Sequence, residues 1–501
     1  MRSPSRWLRR VTQFLWGRLA TCGPIVNRSS RAQPGRSLAG SNLGSTQIPR
    51  LQEFGDSTRQ ARVRAPWLWL LEKECRELVV SRAWWVLLFA MGPLVGVSFI
   101  SAVRTYAEVS GLNGTSAGVG EALSPLVGVW APAFSACELA AVFLLPFVAI
   151  RLLAGDRQSG GLKLESQQGM SPFARILVKA AVLVAGWLAA MLPPLSAILL
   201  WKSYGGQVYA PELITLGFGH VLNAGLTIGL AAAMAAIAEH PSTAAILTLG
   251  ITVGTWIVSF FGAIQGGWWE RAAGYTPAAM VAEFQHGLVR LDTVLVALVL
   301  TLTGLGVAAV WMRLGIGVRR RAFQSAAIGA LAAASVFACT FARPSWDTSE
   351  ARSNSFPEGD ERALLQIHAP LRIEVHLAPE DPRRDDLEHR ALSKLRRAMP
   401  NLEVRYVSAT SIGLFEQTGA GYGEIRYELG GRRTMSRATT AEAVLEAIYS
   451  LAGVAPPAEN EGAVFRGHPL AVAPKWAGTI FYGVWPGLIL AGAILTRKRF
   501  Q

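Results

Sequence analysis

Charged side chains are scarce in this chain: 16% of 501 residues, where a soluble domain carries about 25%. That is too little charge to cover a globular surface, and it excludes a purely cytosolic enzyme. Cysteine is scarce as well. Cys22, Cys75, Cys137 and Cys339 are the whole set, which excludes a secreted disulfide scaffold and offers no zinc spacing. Lysine is rare, at seven residues against 41 arginines. No Gly-Lys pair occurs anywhere, so the chain has no G-x-x-x-x-G-K-S/T loop to cradle nucleotide phosphates.

What the chain does have is apolar residues in long blocks, 51% of the total. Eight blocks reach the roughly 20 residues that cross a hydrocarbon core: 83–103, 131–154, 179–201, 213–238, 242–264, 293–315, 324–342 and 476–495. The fold class expected is a polytopic α-helical membrane protein of about eight transmembrane helices, with a small α/β domain between the last two spans.

The net charge of +14 is unevenly spread. Residues 343–474 hold 16 Lys+Arg and 19 Asp+Glu, so all the excess lies elsewhere. Arg157, Lys163, Arg175 and Lys179 flank the loop after span two. Arg313, Arg319, Arg320 and Arg321 follow span six, and Arg497, Lys498 and Arg499 follow span eight. The positive-inside rule then puts both termini in the cytoplasm and 343–474 outside. A nucleic-acid partner is not expected, since no aromatic-interleaved basic fold accompanies the charge.

Residues 1–65 are rich in Arg, Ser, Gly and Pro and are expected to be a disordered cytoplasmic extension. Such an Arg-rich, acid-poor start imitates a transit peptide, and spurious upstream extensions are common in Arg-rich coding sequences. From Pro66 the pattern changes. Trp67, Leu70, Leu71, Leu78 and Val79 recur at helical spacing, with Glu72, Lys73, Arg76 and Glu77 opposite. This reads as an amphipathic helix on the membrane interface, leading directly into span one.

In the polar block, 343–360 reads as a Ser/Pro/Asp/Glu linker. Leu371–Leu377 alternates as a strand, Arg383–Met399 is a charged helix, and Leu402, Val404 and Tyr406 mark a second strand. Glu424–Leu429 and Arg432–Ser436 form a hairpin through Gly430-Gly431. Thr439 with Glu442 fits a capping box opening a helix that closes near Gly453.

Several motifs give way to plainer readings. Gln158-Ser159-Gly160-Gly161 has the look of an ABC signature but lacks a Walker loop. The G-x-S-x-G string at 114–118 lies in a Gly-rich loop with no strand-to-helix frame. Glu283 and His286 have an E-x-x-H spacing without partner carboxylates. His368, His376 and His389 have no metal-ligand pattern, so no metal site is expected. Glu138, about two turns inside span two, has two readings: a carboxylate facing a cavity, or an interfacial residue of a span that starts later. Pro193 and Pro194 imply a kink buried within the bundle.

The loop Gly155–Phe173 carries the strongest pattern. An Asp-Arg start is followed by Gly161, a short amphipathic piece with Leu162, Lys163, Leu164 and Glu165, then Gly169 and a Ser171-Pro172 helix start. With Lys179 beyond it, this loop resembles the coupling loop of ABC-2 type transporter permeases. Lys73-Glu74 resembles that family's interfacial elbow helix. Tyr275-Thr276-Pro277, with Phe284, Gly287, Leu288 and Asp292, resembles its outer gate segment. Asp360–Gly453 resembles the extracytoplasmic domain of the gliding-motility auxiliary component, on Leu371–Leu377, Pro400-Asn401-Leu402, Gly423–Tyr427 and Arg466-Gly467-His468-Pro469.

The resemblance implies a permease domain over 66–322, a seventh span at 323–342, an auxiliary domain at 343–474, and an eighth span with a basic tail at 475–501. It implies a bacterial inner-membrane location and no catalysis in this chain, with ATP and Mg held by a separate ATPase subunit. That subunit would dock on Gly161, Leu162, Lys163, Leu164, Glu165 and Pro172, with Leu162 and Leu164 as apolar anchors and Lys163 and Glu165 on the other side. Glu138, Pro193 and Pro194 would belong to the translocation path. A second permease copy or related subunit would complete it, and 343–474 would meet extracytoplasmic proteins. The alternative is a non-transporting anchor that displays 343–474 for assembly or sensing.

Overall fold

Eight helices in the computed structural model are long and apolar enough to cross a membrane. The structure describes residues 65–109, 124–167, 169–265, 267–342, 344–350, 352–378, 381–399, 401–407, 421–457 and 475–500. The disorder expected of 1–64, the G-x-S-x-G string and the 466–469 motif lie outside them. Everything below concerns the unit 64–501.

The spans are Arg82–Glu108, Leu126–Arg157, Pro172–Ser203, Ala210–Ile237, Pro241–Gly262, Leu291–Trp311, Val318–Cys339 and Lys475–Arg499, numbered 1 to 8. Each expected block is present. Spans 2 and 4 are the centre of the bundle, with 67% of their apolar windows buried, against 6% and 11% for spans 7 and 8. Small residues permit this packing. Span 4 runs Ala231-Ala232-Ala233 and Ala235-Ala236 through the core, and Gly229 meets the Thr301 backbone of span 6, where a Cβ would approach the carbonyl oxygen to 2.7 Å. Close backbone approach of this kind is how apolar helices associate without a hydrophobic driving force between them. Span 8 docks on span 1 in the same manner: Gly92 lies under Trp485 and Gly96 under Phe481, and Trp485 Nε1 donates to the Leu88 carbonyl at 2.7 Å.

One helical detail differs from expectation. Span 2 starts earlier than its apolar run suggests, at Leu126, which places Glu138 roughly three turns inside rather than at the rim. Span 3 is broken at Met191, between Pro172–Ala190 and Leu192–Ser203. Pro193 and Pro194 occupy the first turn after the break, where a missing N–H costs least, and both are buried.

Helix α1 (Pro66–Val80) has Pro at its first turn but does not run straight into span 1. Ser81 is extended and separates the two. Helix α2 (Gly161–Ser166) crosses the loop between spans 2 and 3, and α3 (Pro277–Gln285) precedes span 6, capped by Thr276.

The segment after span 7 is ordered, a correction to the linker expected there. Strand β1 (Leu288–Arg290) pairs antiparallel with β2 (Ser345–Asp347). Asp347 then accepts from the backbone amides of Ser349 and Asn354. Glu212 at the start of span 4 accepts the Glu350 amide at 2.6 Å, and Thr348 bonds Thr215 at 2.9 Å. Beyond this strap lies the α/β domain. Strands β3 (Leu371–Val375), β4 (Leu402–Tyr406), β5 (Ile425–Leu429) and β6 (Arg432–Ser436) form one sheet in the order β4-β3-β5-β6. Strands β3 and β4 are parallel, as a helical crossover over 382–398 requires. Gly430 and Gly431 both take positive φ at the β5–β6 turn, the conformation a two-residue hairpin demands. The closing helix α4 (Ala441–Ala452) is capped by Thr440, bonding the Ala443 amide, and ends at Gly453 with φ 69°. The expected Thr439–Glu442 box is therefore displaced by one residue, and the side chain that reaches the exposed amide is Thr440.

A buried charge clasp as the candidate functional site

Helix α1 buries Leu70, Glu74 and Leu78 on one stripe, spaced i, i+4, i+8 so that they share a face. The middle member is a carboxylate, and an acid on that stripe requires partners. Span 3 supplies one and α1 itself the other. Lys179, in the second turn of span 3, donates to Glu74 and to Asp156 at the end of span 2, and its ammonium lies 3.5 Å from Glu165 of α2. Lys73 reaches the same group from the other side, with Nζ 2.6 Å from Asp156, 2.7 Å from Glu165 and 3.1 Å from Glu74. Glu77 joins Lys73 at 3.2 Å from the exposed face of α1.

Three buried carboxylates thus meet two ammoniums, and four segments of the chain converge on them. The Glu74 and Lys179 side chains are sealed, at 0% and 2% exposure. Burial opposes the Lys73 charge, but its bonds to Asp156 and Glu165 outweigh that and hold the ammonium well above the ordinary lysine range. Burial pushes the Glu74 carboxyl up, with Lys179 and Lys73 pulling the other way. An oxygen of Glu74 and one of Glu165 have no hydrogen-bond partner among the described residues. The three buried carboxylates thus carry one more negative charge than the two ammoniums supply. The carboxylate oxygens lie within 4.8 Å of one another, a donor set that suits a hard cation, but the lysine ammoniums are bonded to the same oxygens.

Charge clusters of this kind add little net stability over apolar packing but resist the loss of any one member. Their effect is geometric: α1, the end of span 2, α2 and the start of span 3 are held as one body. One side of that body faces a cleft of about 1160 Å³ between α1, the end of span 2 and the start of span 5, lined in part by Lys73, Arg76, Arg151 and Asp156.

The loop residues fall into two groups. Lys163 is exposed, with Ser166 and Gln167 beside it. Leu162 is half-buried against the chain's own core, so it does not stand free as an outward anchor. Glu165 points inward to the lysines at 3% exposure, not outward beside Lys163. Gly161 opens α2 after Gly160, which has φ 78°. Pro172 begins span 3 behind Ser171, whose side chain accepts the Ala174 amide. The Leu164 side chain lies outside the described residues.

The other residues singled out are elsewhere. Glu138 lines a cavity of about 390 Å³ among spans 2, 4, 5 and 6. Pro193 and Pro194, on span 3, do not line it. Glu283 is paired with Arg290 at 2.9 Å and accepts from Thr293 at 2.6 Å, which gives it structural partners at the start of span 6. Glu74 and Asp156 stood in the Lys73-Glu74 and Asp-Arg patterns, but their meeting at Lys179 was not legible from the loop. The signal was present in another form: in a chain with seven lysines, Lys73 and Lys179 supply compact ammoniums, and Glu74 falls on the Leu70–Leu78 stripe.

No protein-family model, curated protein or solved structure matches this chain.

Proposed function

We propose that this chain is the membrane subunit of an ABC-2 type exporter driven by a separate ATPase subunit. The observation that carries the reading is the clasp. It joins the loop between spans 2 and 3 rigidly to α1 and to both spans, while Lys163, Ser166 and Gln167 stay exposed on its outer side. A force applied to α2 is therefore passed to spans 2 and 3 without being absorbed by a soft loop, as a switch between two discrete arrangements needs. In this reading the α1–α2 end is cytoplasmic, the chain lies in a bacterial inner membrane, and ATP and Mg are bound by the partner. A second copy or related subunit completes the path. The strap from span 7 to Glu212 and Thr215 ties the outer α/β domain to spans 4 and 6, so that it senses or gates the same movement.

The test is affinity purification of the full chain in mild detergent. An ABC ATPase should co-elute with the wild type and be released by Lys163→Glu, which reverses an exposed charge without touching the core. Elution of a folded chain with no ATPase would sink the proposal and favour the non-transporting anchor.

A further inference from the structure

The cavity at Glu138 carries chemistry that the clasp does not use. Glu138 sits mid-helix in span 2, and its carboxylate has no hydrogen-bond or ion-pair partner among the described residues. Asn223 of span 4 is 6% exposed, lines the same cavity, and its side-chain amide is likewise unpartnered among them. Thr227, one turn further along span 4, adds a hydroxyl on that face. Thr252, Thr255 and Thr303 also line it, each hydroxyl donating to a carbonyl of its own helix, and the rest of the wall is apolar and aromatic, including Leu230 and Trp256. Ile251, Tyr275 and Leu300 on its lining are 43%, 50% and 36% exposed, so the cavity opens on the flank of the bundle. Its volume falls within the range of about 300–1,000 Å³ that takes a small organic ligand.

The polar groups discriminate among ligands. A carboxylate deep in an apolar helix requires a proton or a cation. An anion is repelled by it, a neutral solute without donors leaves it unpaired at the cost of a buried polar group, and a neutral donor leaves its charge uncompensated. A hard metal ion takes six or more oxygens, and only one carboxylate lines this wall. An organic ammonium has donors and no acceptor. It matches Glu138 and the Asn223 carbonyl, its apolar body fits the Leu230 wall, and Trp256 adds an aromatic surface to the same lining.

We infer that the Glu138 cavity binds an amine-bearing amphiphile, a singly charged ammonium on an aromatic or aliphatic body, entering from the flank of the bundle. That this ligand is cargo rests on the permease reading; that it binds does not.

The test is equilibrium binding of propranolol to the purified full chain in detergent, with its neutral diol analogue, 3-(1-naphthyloxy)-1,2-propanediol, as comparison. Propranolol should bind saturably, and Glu138→Gln should weaken it at least tenfold while leaving the diol unchanged. Thr227→Leu, which keeps the carboxylate but fills the cavity, should weaken both. Should Glu138→Gln not fold, Thr227→Leu alone decides, and unchanged propranolol binding in it overturns the site. Equal propranolol binding by wild type and folded Glu138→Gln also overturns it, as does no saturable binding to the wild type. Saturable, Glu138-dependent binding without a co-eluting ATPase upholds the site and removes the permease reading. Co-elution without such binding does the reverse.

Discussion

Lys179 of span 3 meets Glu74 of α1 across 105 residues of chain, both side chains sealed from solvent. Asp156 and Glu165 close the group around them, so one lysine holds three segments in register. Removing it leaves three carboxylates facing Lys73 alone. Lys179→Met is expected to cost about 3–5 kcal/mol, read as a lowered unfolding midpoint in detergent. Adding Asp156→Asn should restore much of the loss, as coupled members of one network do. Independent, additive losses would show that the clasp is not a unit.

The pH dependence has a definite sign. Burial holds the Glu74 carboxyl above its ordinary 4.5, so the folded state favours the proton. The stability this contributes is complete below pH 4.5 and is lost as pH rises through the higher folded value. The stability of the wild type relative to Glu74→Gln should therefore fall as pH rises above 4.5. A difference that grows with pH would contradict the upward shift of the Glu74 carboxyl.

Spans 4 and 6 touch backbone to backbone at Gly229 and Gly304, where a Cβ on either meets main-chain atoms of the other span. A Gly229→Ala change must push the helices apart and should cost about 1–3 kcal/mol. Gly225, one turn earlier on span 4, has its nearest contacts at 3.8 Å, to the Thr301 side chain, and Gly225→Ala should be near neutral. Thermal unfolding of the two variants side by side checks the contrast.

The strap depends on Glu212, which accepts the Glu350 amide. Glu212→Ala should expose the turn around Arg352 and raise its tryptic cleavage roughly tenfold, for about 1.4 kcal/mol of local opening. Glu212→Gln keeps an acceptor oxygen and should stay near the wild-type rate. Equal cleavage of all three would show that the strap is held by other contacts.

Periodicity was enough to read all eight spans, the β3 strand and the β5–β6 hairpin, because each buries an apolar pattern of fixed period or turns on glycines. The strap was not legible. Its β1–β2 pairing joins Leu288–Arg290 to Ser345–Asp347, with spans 6 and 7 between them, and three-residue strands leave no period to read. The loop was legible as a rigid elbow, through Ser171-Pro172, but not in its inward side. Glu165 sits beside Lys163 in sequence, and only the positions of Lys73 and Lys179 in space decide that the carboxylate turns inward. The Glu138 cavity was half legible: the acid was conspicuous, but Asn223 and Thr227 come from another span.

The central claim is that an ATPase subunit docks on the exposed side of the clasp. Site-specific photo-crosslinking in intact cells tests this most directly, with a benzoylphenylalanine in turn at Lys163, Ser166 and Gln167 and, as a control, at Met435, an exposed position on β6 of the α/β domain. The account predicts adducts with an ABC ATPase at the three loop positions and none at 435. Full expression of all four variants with no ATPase adduct at 163, 166 or 167 would contradict it.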